Sequence, residues 1–329
     1  GLKIYLLGAG SSGEAASIVA NYIKKVTKKE VISITSTTFI TQPDSYICDN
    51  SPVRSSGDTM EGLQSIKIFE ERDIEPYQIL IICSEEGKII KSYSSSKNVL
   101  YIPIPKGTKG KSIAATGEFT LLIQYALMIF DIKNFQYYKE MFSNIIEDSN
   151  YFFKEDIYKS HAISNKEYDT IVSLGSNSLI WLASEMCLKI NEHSMGMQSA
   201  TFHSILEFRH GPKMIMNSKS LISFFFSNNY KTVRYELDML RECYNDKKNG
   251  TIVAISMNYN KEIDENSDYY FYFNKNDFSY MDDSHCVFQY SLYLQTIAIL
   301  KSIDLSFSPD LIDNSGFINK VAQGVILYS

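Results

Sequence analysis

Two turns rich in glycine and hydroxyl side chains, and one glutamate-bearing stretch followed by a histidine, hold the residues best suited to chemistry. The first turn reads Gly8-Ala9-Gly10-Ser11-Ser12-Gly13, between an apolar run and a helical stretch. A helix N-terminus presents backbone N–H groups and the Ser11 and Ser12 hydroxyls add donors, so the turn suits a phosphate. The second turn, Ser55-Ser56-Gly57-Asp58-Thr59, repeats that chemistry ahead of a helix predicted over 60–71. A phosphate monoester accepts from several hydroxyls and amides at once, and two such turns on one sheet make a cradle for it. Ser and Thr are also favoured helix N-caps, so a pair of ordinary capped turns is the plainer alternative.

Glu185 and Glu192 stand seven residues apart, which puts both carboxylates on the same side of one helix. On an otherwise apolar helix, either acid alone reads simply as a structural ion-pair partner, with Lys189 at hand. His210 lies in Glu207-Phe208-Arg209-His210-Gly211-Pro212, where Gly-Pro stops a helix and holds the imidazole on a rigid turn. Histidine titrates near neutrality, and with a partly buried glutamate it makes the pair needed to move protons on and off a sugar. The five histidines show no paired spacing with acids or cysteines, so neither a metal nor any other cofactor is expected.

The first turn also spells G-x-G-x-x-G, which raises a dinucleotide-binding fold. Such a site places an acid about 20 positions on, at the end of the second strand, against the ribose hydroxyls. Here that strand ends Ser33-Ile34-Thr35-Ser36-Thr37, without one, which argues against a nicotinamide-dependent oxidoreductase. A net charge of −6 with both signs interspersed leaves no concentrated basic face for nucleic acid. No apolar run approaches the roughly 20 residues that span a bilayer, and no charged leader precedes a cleavage site. Cysteines at 48, 83, 187, 243 and 286 are odd in number and scattered, with Cys83 and Cys187 inside apolar runs. A soluble cytoplasmic protein with no membrane partner is the expectation.

Short apolar runs alternating with helical stretches must position these groups. In the first half they lie at 3–7, 31–35, 79–83 and 99–102. In the second they lie at 170–174, 221–226, 251–256 and 269–273, with helices over 179–193, 232–244 and 285–302. The opening strand-turn-helix plan returns at Thr170-Ile171-Val172-Ser173-Leu174-Gly175-Ser176-Asn177-Ser178. This rhythm predicts an α/β chain of two tandem units, each a mostly parallel sheet flanked by helices on both faces. A length of 329 residues with 44% hydrophobic content suffices for two cores. The expected domains are 1–135 and 166–329, the latter with the C-terminal tail, joined by a bridging helix over 136–165. Only Pro52-Val53 precedes the loop that begins at Arg54, so the strand expected there is missing from the pattern.

In order and spacing these segments resemble the SIS (sugar isomerase) domain proteins. The likeness is carried by the Glu-x6-Glu helix and Glu-Phe-Arg-His-Gly-Pro turn of residues 183–212, and by Gly8-Ala9-Gly10-Ser11-Ser12. Residues 111–120 and Asn319-Lys320-Val321-Ala322-Gln323-Gly324-Val325 agree with it. Within the family the chain is most similar to the tagatose-6-phosphate aldose/ketose isomerase group, related to the isomerase half of glucosamine-6-phosphate synthase.

The resemblance implies two tandem SIS domains of flavodoxin-like, three-layer form. It implies that Ser11, Ser12, Ser56 and Thr59 hold the substrate phosphate, with Ser55 beside them. Glu192 is then the base, and His210 assists ring opening, often from the partner subunit of a homodimer or higher homo-oligomer. Gly10, Glu185, Lys320 and Gln323 are further substrate-binding candidates. The family usually has helices ahead of the first strand and a full strand before the Ser56 loop, which this pattern lacks. Its aminosugar synthase has a lysine where Gln323 aligns, so Schiff-base chemistry is not expected there unless Lys320, one turn away, supplies the amine. The implied reaction is aldose–ketose isomerisation of a hexose or amino-hexose 6-phosphate through a cis-enediol. One alternative is an amino-sugar-phosphate deaminase-isomerase or deglycase. Another is a non-catalytic sugar-phosphate sensor, a class that usually carries a DNA-binding module not visible here.

Overall fold

A computed structural model describes residues 3–47, 52–55, 60–72, 74, 77–82, 97–108, 110–112 and 114–310, with 52–55, 60, 63 and 82 given by backbone alone. The chain divides into two compact units, Gly1–Lys133 with Asp313–Ser329, and Asn134–Ile312. The boundary at Lys133/Asn134 lies next to the end expected for the first domain at 135, and the tail from 311 on lies outside the described residues.

The first unit carries strands β1 (Lys3–Gly8), β2 (Glu30–Thr35), β3 (Pro52–Ser55), β4 (Gln78–Ile82) and β5 (Val99–Pro103). They form one parallel sheet in the order β2-β1-β3-β4-β5. The missing strand is therefore present: β3 pairs with β1 from Lys3↔Pro52 to Leu6↔Ser55, though it meets β4 only at Arg54↔Gln78. It escaped the pattern because it is four residues long and ends in Arg54 and Ser55, leaving no apolar run to detect. Helices α1 (Ser11–Thr27), α2 (Ser36–Thr41), α3 (Met60–Glu70) and α4 (Gly117–Phe130) complete the described part of this unit. Tyr5, Leu7, Ile34, Phe39, Ile68 and Phe69 close one face of the sheet, with Phe39 and Phe69 stacked 5.3 Å apart.

The second unit repeats the plan with β6 (Thr170–Gly175), β7 (Ser199–Ser204), β8 (Ser220–Phe225), β9 (Thr251–Ser256) and β10 (Tyr269–Tyr272). All pairs are parallel and the order is β10-β9-β8-β6-β7, the same topology as the first sheet. Every residue of β6, β8 and β9 is buried, as expected of central strands covered on both faces. β7 was not anticipated. It is an edge strand, Ser-Ala-Thr-Phe-His-Ser, partly exposed along its length, and an edge position does not require the continuous apolar run that marks its neighbours.

The helical structure expected over 136–165 is preceded by a separate helix, α4, in the first unit. α4 ends at Asp131, whose carboxylate accepts from Tyr22 Oη at 2.6 Å within the first unit. Helix α5 (Phe135–Tyr151), a single π-turn over Phe152–Asp156 and helix α6 (Ile157–Ser164) then belong to the second unit. That unit also holds α7 (Leu179–His193), α8 (Tyr230–Asp246), α9 (Lys261–Glu265) and α10 (Asp283–Asp304). In each unit the first helix after the first strand packs on the last: α1 on α4, and α7 on α10. No described helix is long and apolar enough to cross a membrane.

Candidate functional site

The duplication is most exact where each first strand runs into its helix. A Cβ on Gly8 would lie 2.5 Å from the Ser12 carbonyl carbon and oxygen, and one on Gly175 would lie 2.2 Å from the Leu179 carbonyl oxygen. Both contacts are with backbone that cannot yield, so glycine is the only residue that lets the helix start this close to the strand end. The chain then turns through Gly10, whose φ of 55° an L side chain adopts with strain.

Gly10 is exposed, Ser11 is buried as the first residue of α1, and Ser12 is half-buried. The turn closes on itself: Ser12 N–H donates to Ala9 O at 3.2 Å, and Gly13 and Glu14 N–H donate to Gly10 O at 2.8 and 3.1 Å. No side chain caps α1, so neither serine plays the N-cap part that the plainer alternative assigned to this turn. The Ser12 hydroxyl has no hydrogen bond among the described residues and remains a donor for a bound oxyanion. At the end of β2, where a dinucleotide site needs an acid, stand Thr35, which caps α2 through Thr38 N–H, and the buried Ser36. Ser55 is the last residue of β3. Ser56, Thr59, Lys320 and Gln323, with Cys48 and Cys83, lie outside the described residues.

In the second unit, α7 brings its acids together as their spacing predicted, with a lysine between them. Lys189 Nζ lies 2.6 Å from Glu192 Oε2 and 3.3 Å from Glu185 Oε1. Lys189 and Glu185 side chains are completely buried, while 22% of the Glu192 side chain is exposed. Glu185 is thus the ion-pair partner that the simpler reading allowed, and Glu192 is the acid that reaches solvent. Charge-assisted bonds of this kind are short and directional. They hold the Glu192 carboxylate in one orientation and leave part of it open to accept a proton. Lys189 is the contributor that sequence reasoning undervalued. Its i+4 and i−3 spacing to the two acids was the available signal.

The next residue, His193, is buried, and neither ring nitrogen has a hydrogen-bond partner among the described residues. Burial, with the nearby Lys189 ammonium adding to it, pushes its pKa down to about 4. It is therefore neutral at the working pH of most enzymes.

His210 lies on the 3-10 turn Glu207–His210, is exposed, and makes no hydrogen bond or ion pair among the described residues. Its turn is anchored from both sides. Arg209 reaches Glu242 on α8 at 2.8 Å, and Lys213 reaches Glu242 at 2.5 Å and Asp246 at 2.6 Å. Lys213 holds the Glu242 carboxyl below its ordinary range against the opposing effect of burial. These pairs fix the backbone under His210 and leave the imidazole unengaged. His203, at the end of β7, lies 3.2 Å from Thr201 Oγ1 and was not anticipated; burial lowers its pKa. Among the described residues no group of three or more His, Cys, Asp or Glu side chains could hold a metal ion.

Residues 2–129, nearly all of the first unit's continuous stretch, match the SIS domain family. The first unit therefore carries a stretch that matches a SIS domain. The second unit repeats the strand order of the first, so the polypeptide is two such α/β folds in tandem. The D-galactosamine-6-phosphate deaminase AgaS of Escherichia coli O157:H7 is 27% identical over 336 aligned residues, covering 99% of this chain and 85% of the relative. A crystal structure from Clostridium novyi NT, of a candidate tagatose-6-phosphate ketose/aldose isomerase, is 28% identical with a TM-score of 0.95. It covers 100% of this chain and 85% of that one. The tagatose-6-phosphate ketose/aldose isomerase of Escherichia coli shares the fold, with a TM-score of 0.88 at 23% identity over 100% of this chain and 86% of that one.

Proposed function

We propose that this protein is a phosphosugar isomerase that interconverts aldose and ketose forms of a hexose or amino-hexose 6-phosphate. The observation that carries the reading is the Glu192 carboxylate, part-exposed and held at 2.6 Å by a fully buried lysine. A general base must be oriented and accessible, and this one is both. Ser11 and Ser12, with Ser55, Ser56 and Thr59 of the second turn, take the phosphate, and Gly10 and Gly8 keep the backbone of the first turn close to it. Glu185 acts on the substrate only through Lys189, and Lys320 and Gln323 remain further contacts to be tested.

The sequence of events is then short. His210 assists ring opening by giving and taking a proton at the ring and anomeric oxygens. Glu192 removes the proton from one of the first two carbons, the electron pair moves into the carbonyl, and protonation of the carbonyl oxygen gives a cis-enediol. Loss of the other hydroxyl proton with return of the first proton to the neighbouring carbon completes the isomerisation. The proton and electrons stay on the substrate, so the reaction requires neither nicotinamide nor metal. Anchoring the phosphate makes the transfer a local event at one end of the sugar.

Glu192→Gln keeps an oxygen for Lys189 and removes the base. Turnover should fall about 100-fold or more with phosphosugar affinity nearly unchanged; retained turnover would take Glu192 out of the mechanism. The similarity to a D-galactosamine-6-phosphate deaminase over nearly the whole chain favours one second reading, loss of ammonia from a 2-amino sugar phosphate through the same base. Coupled assays for ammonia and for ketose, run on matched hexose and hexosamine 6-phosphates, separate the two. We place the enzyme in the cytoplasm, where buried thiols such as Cys187, Cys243 and Cys286 stay reduced. We also propose a homodimer or larger homo-oligomer in which His210 serves a neighbouring subunit, since the imidazole is exposed on an anchored turn. Mixing Glu192→Gln with His210→Asn protein should then restore part of the activity, and no recovery would assign both residues to one subunit.

A further inference from the structure

Shared strand order equates the turn after β1 with the turn after β6, and the turn after β3 with the turn after β8. In the second unit these are Gly175-Ser176-Asn177-Ser178 and Phe226-Ser227-Asn228-Asn229. They contain what an oxyanion cradle requires: buried hydroxyls on Ser176 and Ser227, and N–H groups leading into α8. At the start of α8, Asn229 Oδ1 accepts from Lys231 and Thr232 N–H, and the donors just before it are taken by carboxylates of the chain itself. Ser227 N–H donates to Glu236 Oε2 at 2.9 Å, and Glu236 Oε1 has no hydrogen-bond partner among the described residues. Ser227 Oγ and Asn228 N–H donate to the two oxygens of Asp283, each at 2.7 Å.

Glu236 has no exposed surface, although it sits on the inner face of α8 beside Leu237, Met239 and Leu240. A carboxylate there is costly, and burial pushes its pKa up to about 7 despite the Ser227 N–H bond that favours its ionised form. Among the described residues α3 has its own buried acid, Glu61, but in its first turn rather than at the place of Glu236. Around that place the buried side chains of α3 are Ser65, Ile66, Ile68 and Phe69, whereas Asp283 has a counterpart in the buried Glu118 at the first turn of α4. Glu236 is what sets the second pair of turns apart.

We propose that the second unit keeps the phosphate cradle of the fold in a self-occupied form. The Glu236 carboxylate, backed by Asp283, takes the place of an oxyanion, so each chain binds one phosphosugar rather than two. Carboxylate and phosphate oxygens use the same N–H and O–H donors, so a donor held by one is closed to the other. The inference rests on reading the first-unit turns as the working phosphate cradle. Its own prediction is that removing these charges uncovers an anion site in the second unit.

Isothermal titration of the intact chain with a hexose 6-phosphate, and separately with inorganic phosphate, tests this. The wild type should bind one of either per chain. Glu236→Ala with Asp283→Asn should raise inorganic phosphate from one to two per chain, and the added site should survive Ser11→Ala with Ser12→Ala. Two phosphosugars on the wild type, or no added phosphate on the folded variant, overturns the proposal. Should the variant not fold, the wild-type count decides: one sustains it and two overturns it. A wild type that binds no phosphate beside a variant that binds one would sink the first-unit reading and leave this inference standing.

Discussion

Replacing Lys189 with methionine is the most informative single perturbation of α7. The side chain keeps its length and loses the ammonium that lies 2.6 Å from Glu192 and 3.3 Å from Glu185. At an effective dielectric of about 20, unit charges about 3 Å apart attract by about 5 kcal/mol, most of it offset by desolvation of the buried groups. The substitution removes that attraction but leaves Glu185 with no exposed surface and Glu192 nearby. Breaking a buried pair in this way costs about 3–5 kcal/mol. Glu185→Leu combined with Lys189→Met replaces the pair by apolar atoms and should regain most of the loss, giving a coupling of about 2–3 kcal/mol in a double-mutant cycle. Urea unfolding of the wild type, both single variants and the double variant at one pH measures it. In the folded double variant Glu192 has lost its tether, so kcat should fall about 10- to 100-fold while KM stays near the wild-type value. A Lys189→Met protein within 1 kcal/mol of wild type, or additive single effects, would refute the buried-hub reasoning.

Further outcomes follow from single groups. His193 has a folded-state pKa of about 4, below the ordinary 6.5, so the unfolded chain binds the proton first as pH falls. Stability is fully present above about pH 6.5 and should drop by roughly 3 kcal/mol between there and pH 4, a loss that His193→Gln reduces in denaturant titrations across that range. Glu236 runs the other way: its folded pKa of about 7 lies above 4.5, so the wild type loses stability as pH rises through 7. Glu236→Gln should match the wild type near pH 4.5 and exceed it by roughly 3 kcal/mol at pH 8, read by the same titrations. Gly175→Ala drives a methyl into the Leu179 carbonyl and should lower stability by about 3 kcal/mol or more, visible as a fall in Tm, with Gly8→Ala behaving alike.

Particular residues explain how much was readable in advance. The fully buried strands β6, β8 and β9 were legible because burial on both faces demands unbroken apolar runs such as Thr-Ile-Val-Ala-Ile-Ser. β3 and β7 were not, because four residues ending in Arg-Ser and an edge strand of Ser, Thr and His carry no such run. The Glu185–Glu192 relation followed from helix period alone. That Lys189 joins them in full burial did not, since a lysine at that spacing is as compatible with solvent as with a core.

The order of residues by itself determined the repeated α/β plan, the two glycine-and-serine turn types and the placing of two acids on one helical face, because these depend on local period and backbone freedom. Only the tertiary structure decided which acid is sealed in and which reaches solvent. It also decided that the second unit's turns spend their donors on Glu236 and Asp283. Burial and hydrogen-bond partners arise when distant segments pack, and no spacing along a chain records them.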